Sequence, residues 1–274
     1  MYKTTAQLKI EAKKAMAPQQ ANIILMMIVP VVISAIINFI HRNYYNDLLI
    51  QLKQNSLVTS LYDNTLNSNF NLTQFTSFVI PIIVGFMTIA IIWRLLTVFR
   101  NPNETTVSPI GDITKRLNNP DLFTIIMTAV SKYLFILLWA IIPTTVGTVT
   151  IFFSTMSKHP SIGGTFLGTL FILFGIIISY VKTLNYSLAY FLAYDEMKRT
   201  GGIPDFTYGI SASKELMKGQ NGRLFWLYLT FILWYFLNGI TCGLSSIYAM
   251  PYIELTKIAF YEELLEKRSA NNEY

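Results

Sequence analysis

The stretch Ser211–Tyr261 decides the fold: SASKELMKGQNGRLFWLYLTFILWYFLNGITCGLSSIYAMPYIELTKIAFY. A charged, helical-looking segment runs up to Gly219, Arg223 marks an edge, and no charged residue follows until Glu254. The uncharged run exceeds the roughly 20 residues that one helix needs to cross a bilayer. Polar or helix-breaking residues interrupt it, namely Asn238, Gly239, Gly243 and Pro251. We therefore predict a membrane hairpin over residues 223–262 with a basic rim.

Composition extends this interpretation to the whole chain. Of the 274 residues, 53% are hydrophobic and 13% are charged, and the mean hydropathy is +0.44. Soluble domains carry about 25% charged residues. Further apolar runs approach 20 residues and are continuous rather than alternating, which favours helices over a β-barrel. We expect one all-α integral membrane domain over residues 1–274, a polytopic bundle of six transmembrane helices with interfacial amphipathic helices.

The charge distribution predicts the orientation. The net charge is +6, but the basic residues flank apolar runs, which membrane topology explains better than nucleic-acid binding. With a cytoplasmic N-terminus, 18 of the 21 Lys and Arg residues lie inside, and the other three are Arg42, Lys53 and Lys158. We expect a multi-pass protein of the plasma membrane with both termini cytoplasmic. A five-span version, in which the last hairpin does not cross fully, stays open as an alternative.

Residues 1–18 are expected to form an amphipathic helix that lies in the membrane interface. Thr4 and Gln7 have the spacing of a capping box, and lysines lie outside the apolar face. Pro18 is expected to separate this helix from the first span. The apolar face consists of Leu8, Ala12, Ala15 and Met16.

The other connections are polar. Residues 41–75 are expected to form an extracellular loop, and residues 100–121 and 195–222 to form cytoplasmic segments, the first of them irregular because it holds three prolines. Within the second, Asp205–Lys218 predicts a surface helix that either anchors the hairpin in the interface or docks a cytoplasmic partner. Its apolar stripe is Phe206, Ile210, Ser213 and Met217. The residues expected at the lipid or partner interface are Lys214, Met217, Lys218 and Arg223.

Cations and glycines inside the predicted spans allow two interpretations each. Arg94, Lys132 and Lys182 fall at the cytoplasmic boundary, where they can reach the headgroups; the alternative is a charged solute path.

Small residues four apart let helix backbones approach closely, so we expect helix packing within the bundle, with self-association as the alternative. The two such motifs pair Gly164 with Gly168 and Gly239 with Gly243.

The sequence contains no catalytic or metal-binding pattern that we recognise. There is no Ser/His/Asp set, H-E-x-x-H, Walker A or zinc spacing. The two histidines fall in predicted loops, and the one cysteine, Cys242, forms neither an internal disulfide nor a thiolate cluster. We therefore expect a protein that is not an enzyme and binds no cofactor or metal.

Several motifs together resemble a known family. They are SKELMKG at Ser213–Gly219, LTFILW at Leu229–Trp234, Thr241-Cys242-Gly243, Pro251-Tyr252, Phe260-Tyr261, YSLAYFLAYD at Tyr186–Asp195 and the segment Leu8–Met16. In these the chain resembles the bacterial membrane family known as domain of unknown function 975. The resemblance implies six membrane helices and supplies no activity. Some relatives are associated with antimicrobial-peptide or export gene clusters.

These observations lead to a functional hypothesis of binding without catalysis. We expect an accessory or immunity factor for the export of, or self-protection from, an antimicrobial peptide or bacteriocin. The expected partners are the lipid bilayer and another membrane protein or a membrane-active peptide, not nucleic acid. The alternative is a small-solute or lipid transporter whose path is lined by spans kinked at Pro30, Pro143 and Pro251.

Overall fold

The computed structural model describes residues 2–54, 68–103, 108–116, 121–156, 161–241 and 243–272, and their regular secondary structure is helical throughout. The prediction of an all-α chain is therefore confirmed over these ranges. In chain order the helices are α1 (Thr5–Met16), α2 (Gln20–Gln54), α3 (Ser68–Arg100), α4 (Pro109–Arg116), α5 (Asp121–Met156), α6 (Ile162–Asn185), α7 (Ala189–Thr200), α8 (Tyr208–Leu216), α9 (Asn221–Leu229), α10 (Ile232–Ile240) and α11 (Ser246–Asn272).

Within those ranges, four helical stretches are long and apolar enough to cross a bilayer. A fifth arises if α9 and α10, separated by Thr230 and Phe231, act as one bent span. The helix α11, which holds the predicted sixth span, is not among them, because four charged residues lie within its first 18 positions. The four stretches are Thr5–Ile37, Phe75–Arg100, Asp121–Met156 and Ile162–Thr200.

The chain divides into two compact units. Unit 1 comprises Met1–Asn118 and Phe231–Phe260, and unit 2 comprises Asn119–Thr230 and Tyr261–Tyr274. Each unit therefore includes part of α11.

In unit 1, helix α1 begins as the sequence predicts. Thr4 is its N-cap and forms a full capping box with Gln7. The predicted apolar face is buried at all four positions, Leu8, Ala12, Ala15 and Met16, and α1 contacts α3. Pro18 lies in a 3₁₀ turn, Ala17–Gln19, that leads directly into α2 rather than separating the two helices. Because protein covers the apolar face, α1 is stabilised without lipid; its interfacial position stays a prediction.

Two segments expected to be loops are partly helical. Within residues 41–75, α2 continues to Gln54 and α3 begins at Ser68, while residues 55–67 lie outside the described ranges. Within residues 100–121, which we expected to be irregular, Pro109 begins the helix α4. Proline is favourable at a first helical position, because its missing N–H would have no partner there. A proline in this segment therefore marks the beginning of a helix, and not only a break in one.

In unit 2, the longest interface between helices is that of α5 with α6, and glycines allow it. A Cβ on Gly168 would lie 2.6 Å from Ile151 Cγ1 and 2.7 Å from the Gly147 carbonyl oxygen. A Cβ on Gly164 would collide with the side chain of Ser154. Gly164 and Gly168 therefore lie where α6 closely approaches α5, and so does Gly147 on the facing helix, which the sequence analysis missed.

The outer surface of the α5–α6 pair is apolar. Large side chains are exposed along both helices; examples are Ile142 at 69%, Phe153 at 68%, Phe166 at 65% and Ile177 at 62%. The hydroxyls at positions 144–155 of α5 all donate to backbone carbonyls three or four residues earlier. They therefore add no unsatisfied donor to this surface. Soluble proteins rarely expose so large a contiguous apolar surface.

Candidate functional site

The first predicted boundary cation, Arg94, forms an ion pair in unit 1. Its Nε donates to Asp112 Oδ2 at 2.8 Å, and the same oxygen accepts the backbone N–H of Ser108 at 2.9 Å. Both side chains are mostly buried, so the pair ties α4 to α3. The sequence analysis missed Asp112, although an acidic residue in the first turn of a helix is a recognisable signal.

The other two cations lie over aromatic rings in unit 2. Lys132 Nζ is 4.6 Å from the centre of the Tyr190 ring, and Lys182 Nζ is 3.7 Å from the centre of the Trp139 ring system. These distances allow cation–π attraction. The two lysines therefore each contact an aromatic ring of unit 2. Their position at a membrane boundary stays a prediction.

A buried polar cluster holds the break between α6 and α7. Ser213 Oγ donates to the Asn185 carbonyl oxygen at 2.7 Å and accepts the Leu188 backbone N–H at 3.2 Å. Asn221 Nδ2 donates to Asn185 Oδ1 at 2.7 Å. Helix ends leave backbone groups without intrahelical partners, and Ser213 satisfies two of them here. The first residue of the SKELMKG motif is therefore a structural hydrogen-bonding residue.

Polar side-chain contacts fasten the C-terminal part of α11 within unit 2. Three of them join it to helices α7, α8 and α9. The buried Glu263 carboxylate accepts one of these bonds, and its side chain is 2% exposed. The contacts are Tyr261 Oη to Asp195 Oδ2 at 2.6 Å, Arg223 Nη2 to Glu263 Oε2 at 2.8 Å and Arg268 Nη2 to Glu215 Oε1 at 2.8 Å.

The adjacent carboxylates Asp195 and Glu196 have different partners. Glu196 pairs with Arg199, at 2.6 Å, whereas Asp195 accepts from Tyr261. Burial and the neighbouring Glu196 carboxylate raise the pKa of Tyr208. The two carboxylates thus serve separate contacts, because neighbouring residues of a helix point about 100° apart.

The predicted interface on the segment 195–222 is only partly exposed. Lys214 and Lys218 are exposed. Met217 is fully buried, so the expectation that it lies at a lipid or partner interface is wrong. It belongs to the apolar stripe, which faces the protein at Ile210 and Ser213 as well. Arg223 is partly buried by its pairing with Glu263. Of the four residues of the predicted interface, the two exposed ones are therefore lysines, while Phe206 of the apolar stripe is 39% exposed.

The second glycine motif does not pack helices. A Cβ on Gly239 or on Gly243 would meet nothing within 4 Å. Gly243 has a φ of +94° and lies in the turn between α10 and α11, where its N–H donates to the Asn238 carbonyl oxygen. The packing prediction is wrong for this pair, because Gly243 serves a left-handed turn that disfavours side chains. Cys242 lies outside the described residues.

The two helices that this turn joins enclose a cavity within unit 1. The cavity lies between α10 and α11 and has a volume of about 200 Å³. Its lining is mostly apolar and includes two aromatic residues and three polar ones. These are Trp234, Tyr235, Asn238, Ser246 and Glu254. Of these, only Asn238 had been considered as a polar residue within a span.

Beside the cavity, aromatic rings in unit 1 form a cluster that attracts cations. It consists of Phe231, Trp234, Tyr248 and Tyr252, with successive ring centres 5.5–6.3 Å apart. Two lysines of α1 lie over it: Lys9 Nζ is 4.2 Å from the Phe231 ring centre, and Lys13 Nζ is 5.7 Å from that of Tyr252. The lysines of α1 therefore contact protein rings.

Among the residues that the structure describes, no three His, Cys, Asp or Glu side chains come together as a metal site would require. His159, like Cys242, lies outside these residues. The polar groups described above instead hold helices together, apart from those that line the cavity.

Comparison with known proteins gives a family and no activity. No curated protein and no solved structure matches the chain. A family model does match, over residues 1–268, and its description is "Protein of unknown function (DUF975)". The match includes the motif residues that fasten α7, α8 and α11. The chain therefore belongs to the DUF975 family, as its motifs indicated.

Proposed function

We propose that the protein is a six-span protein of the bacterial plasma membrane and that it acts by binding, as an accessory or immunity factor for a membrane-active peptide. The observation that carries the membrane part is the apolar outer surface of α5 and α6, whose hydroxyls are satisfied within their own helices. Such a surface is stable in lipid and unfavourable in water.

The sixth span would be α11, in spite of its charges. Residues Leu255, Ile258 and Ala259 are buried, and Lys257 is paired with Glu254 at 2.5 Å. Charged groups within membrane helices are tolerated when they face protein and pair with one another. A crossing by α11 would place both termini in the cytoplasm, in agreement with the distribution of Lys and Arg.

The topology is tested by reporter fusions. A fusion after Lys214 and one after Asn272 should both report a cytoplasmic position, and a fusion at Lys158 should report the exterior. An exterior signal after Asn272 alone would reduce the number of spans to five. An exterior signal after Lys214 would contradict the proposed orientation itself.

A binding role is supported by how the motif residues are used. Ser213, Asp195 and Tyr261 form hydrogen bonds between helices. We infer that these residues stabilise a rigid helical framework whose surface is available for binding. Lys214 and Lys218 are exposed beside this scaffold and can attract anionic lipid or an acidic partner.

The immunity hypothesis is tested by expressing the chain in a sensitive bacterium. Inhibitory concentrations of several membrane-active peptides are compared with those of a strain carrying the empty vector. We expect protection against at least one peptide, its loss in the Lys214→Ala/Lys218→Ala variant and its retention in Lys115→Ala, an exposed lysine on α4. If the wild-type chain reaches the membrane and protects against none of the peptides, the immunity role is wrong.

Transport of a small solute is a second candidate function. The cavity between α10 and α11, with the carboxylate of Glu254 in its wall, favours it. Purified chain in liposomes should then take up a labelled organic cation faster than liposomes without protein. Equal uptake in both would exclude transport of that cation.

A further inference from the structure

The cavity between α10 and α11 combines a carboxylate with aromatic rings. Glu254 lines it, and its side chain is 13% exposed. Lys257 Nζ lies 2.5 Å from Glu254 Oε2, and one such partner leaves other lone pairs of the two carboxylate oxygens available. A buried carboxylate is stabilised by donors that reach its oxygens. Glu254 therefore keeps capacity to accept a hydrogen bond from a group in the cavity.

The aromatic part of the wall suits the same kind of ligand. Trp234 and Tyr235 line the cavity, and the Trp234 ring is held by the Tyr248 ring at 5.5 Å. Ring faces carry partial negative charge and attract ammonium groups within about 6 Å. The neighbouring rings already do so within this chain, since Lys9 and Lys13 lie over two of them.

The size of the cavity limits the ligand. A cavity of about 150 Å³ in another protein holds benzene, so about 200 Å³ admits a group of roughly six to eight non-hydrogen atoms. A tetramethylammonium ion and the side chain of a lysine both fit this volume. The charged side chain among the lining residues is a carboxylate, and its partner Lys257 lies outside the lining, so a cation in the cavity would meet the carboxylate first.

We propose that the cavity between α10 and α11 binds one organic ammonium group. Glu254 attracts its positive charge and also accepts a hydrogen bond where the group carries an N–H. Trp234 and Tyr235 contact its carbon atoms, and Asn238 and Ser246 line the polar end. The group belongs either to a small free amine or quaternary ammonium ion, or to a lysine side chain of a cationic peptide. This site does not depend on the immunity function, because a small cation can occupy it alone.

The test uses the full chain, purified in lipid nanodiscs, and isothermal titration. The probes are tetramethylammonium, n-butylammonium and tert-butanol, a neutral molecule of similar size. We expect the two cations to bind and tert-butanol not to bind. A lysine-containing peptide and the same peptide acetylated on its lysines then compete with the bound cation, which distinguishes the two sources. If only the unmodified peptide displaces the cation, the site belongs to peptides. If neither peptide displaces it, the site belongs to small amines.

Variants test whether Glu254 carries the binding. The double variant Glu254→Gln/Lys257→Gln removes both charges, so no buried charge is left without its partner. We expect it to bind the cations at least about tenfold more weakly, a difference of about 1.4 kcal/mol. Trp234→Leu should also weaken binding while leaving the carboxylate in place. Glu266→Gln, the same substitution at an exposed position of α11, should bind like wild type.

Two results would overturn the proposal. One is the absence of binding by either cation to a correctly folded wild-type chain. The other is equal affinity in wild type and in the double variant, which would place the cations elsewhere. Neither result would bear on protection from peptides in cells, so failure of this site and failure of the immunity role remain distinguishable.

Discussion

Replacing Gly168 with alanine tests the packing of α5 on α6 directly. The new methyl group would lie 2.6 Å from Ile151 Cγ1 and 2.7 Å from the carbonyl oxygen of Gly147. The side chain of Ile151 can rotate away, but a backbone oxygen in the middle of a helix cannot. The two helices must therefore move apart locally.

The magnitude follows from two opposing effects. Alanine is more favourable than glycine within a helix by about 0.8–1.0 kcal/mol. Overpacking a well-packed contact costs about 1–3 kcal/mol. Gly85→Ala provides the matched control, because it is the same substitution inside α3 and its Cβ would meet nothing within 4 Å. The free energy of unfolding should therefore be about 1–3 kcal/mol lower for Gly168→Ala than for Gly85→Ala.

The assay is denaturant unfolding of the purified chain in detergent micelles, followed by circular dichroism. Gly85→Ala should be as stable as wild type or slightly more stable, and Gly168→Ala should be less stable than Gly85→Ala. If both variants change the free energy of unfolding by the same amount and with the same sign, the close approach at Gly168 does not exist.

Three further substitutions test the hydrogen bonds and ion pairs of unit 2 in the same assay. Ser213→Ala should lower the free energy of unfolding by about 1–3 kcal/mol, because two backbone groups lose a buried partner. Its control, Ser211→Ala, removes an exposed hydroxyl and should change the free energy of unfolding by less than about 0.5 kcal/mol. Arg223→Ala should approach the lower end of the about 3–5 kcal/mol range for breaking a buried ion pair. Arg199→Ala, whose guanidinium is exposed, should cost clearly less. Tyr261→Phe should cost about 1.5–3 kcal/mol, since a hydrogen bond to a carboxylate is lost. Equal effects within either matched pair, or an unchanged stability for Tyr261→Phe, would contradict the corresponding contact.

Local features were readable from the sequence. The capping box of Thr4 with Gln7 and the residues that share the apolar face of α1 were predicted correctly, because a cap and a helical face depend only on residues within a few positions of one another. That protein covers this face was not predicted. The helical nature of the chain was predicted for the same reason. Polar segments were predicted less well, since Pro109 begins a helix that the density of prolines seemed to exclude.

The candidate site was only partly predictable. Asn238 and Glu254 were visible as polar residues in or near the predicted hairpin, but nothing in their spacing shows that they share a cavity with Trp234 and Ser246. Those residues come together because a turn at Gly243 brings α10 and α11 side by side. Met217 shows the opposite case: its neighbours in sequence are exposed lysines, and packing within unit 2 nevertheless covers it completely.

The sequence by itself determined the helices, the apolar runs and the family, because these depend on residue type and on spacing along one chain. Only the tertiary structure decided which of two pairs of glycines with the same spacing lies at a contact between helices. Gly164 and Gly168 meet another helix, whereas Gly239 meets nothing and Gly243 forms a turn. The physical reason is that close packing depends on what lies across the contact, and the partner of Gly168 is Gly147, on a different helix that the order of residues alone does not place beside it.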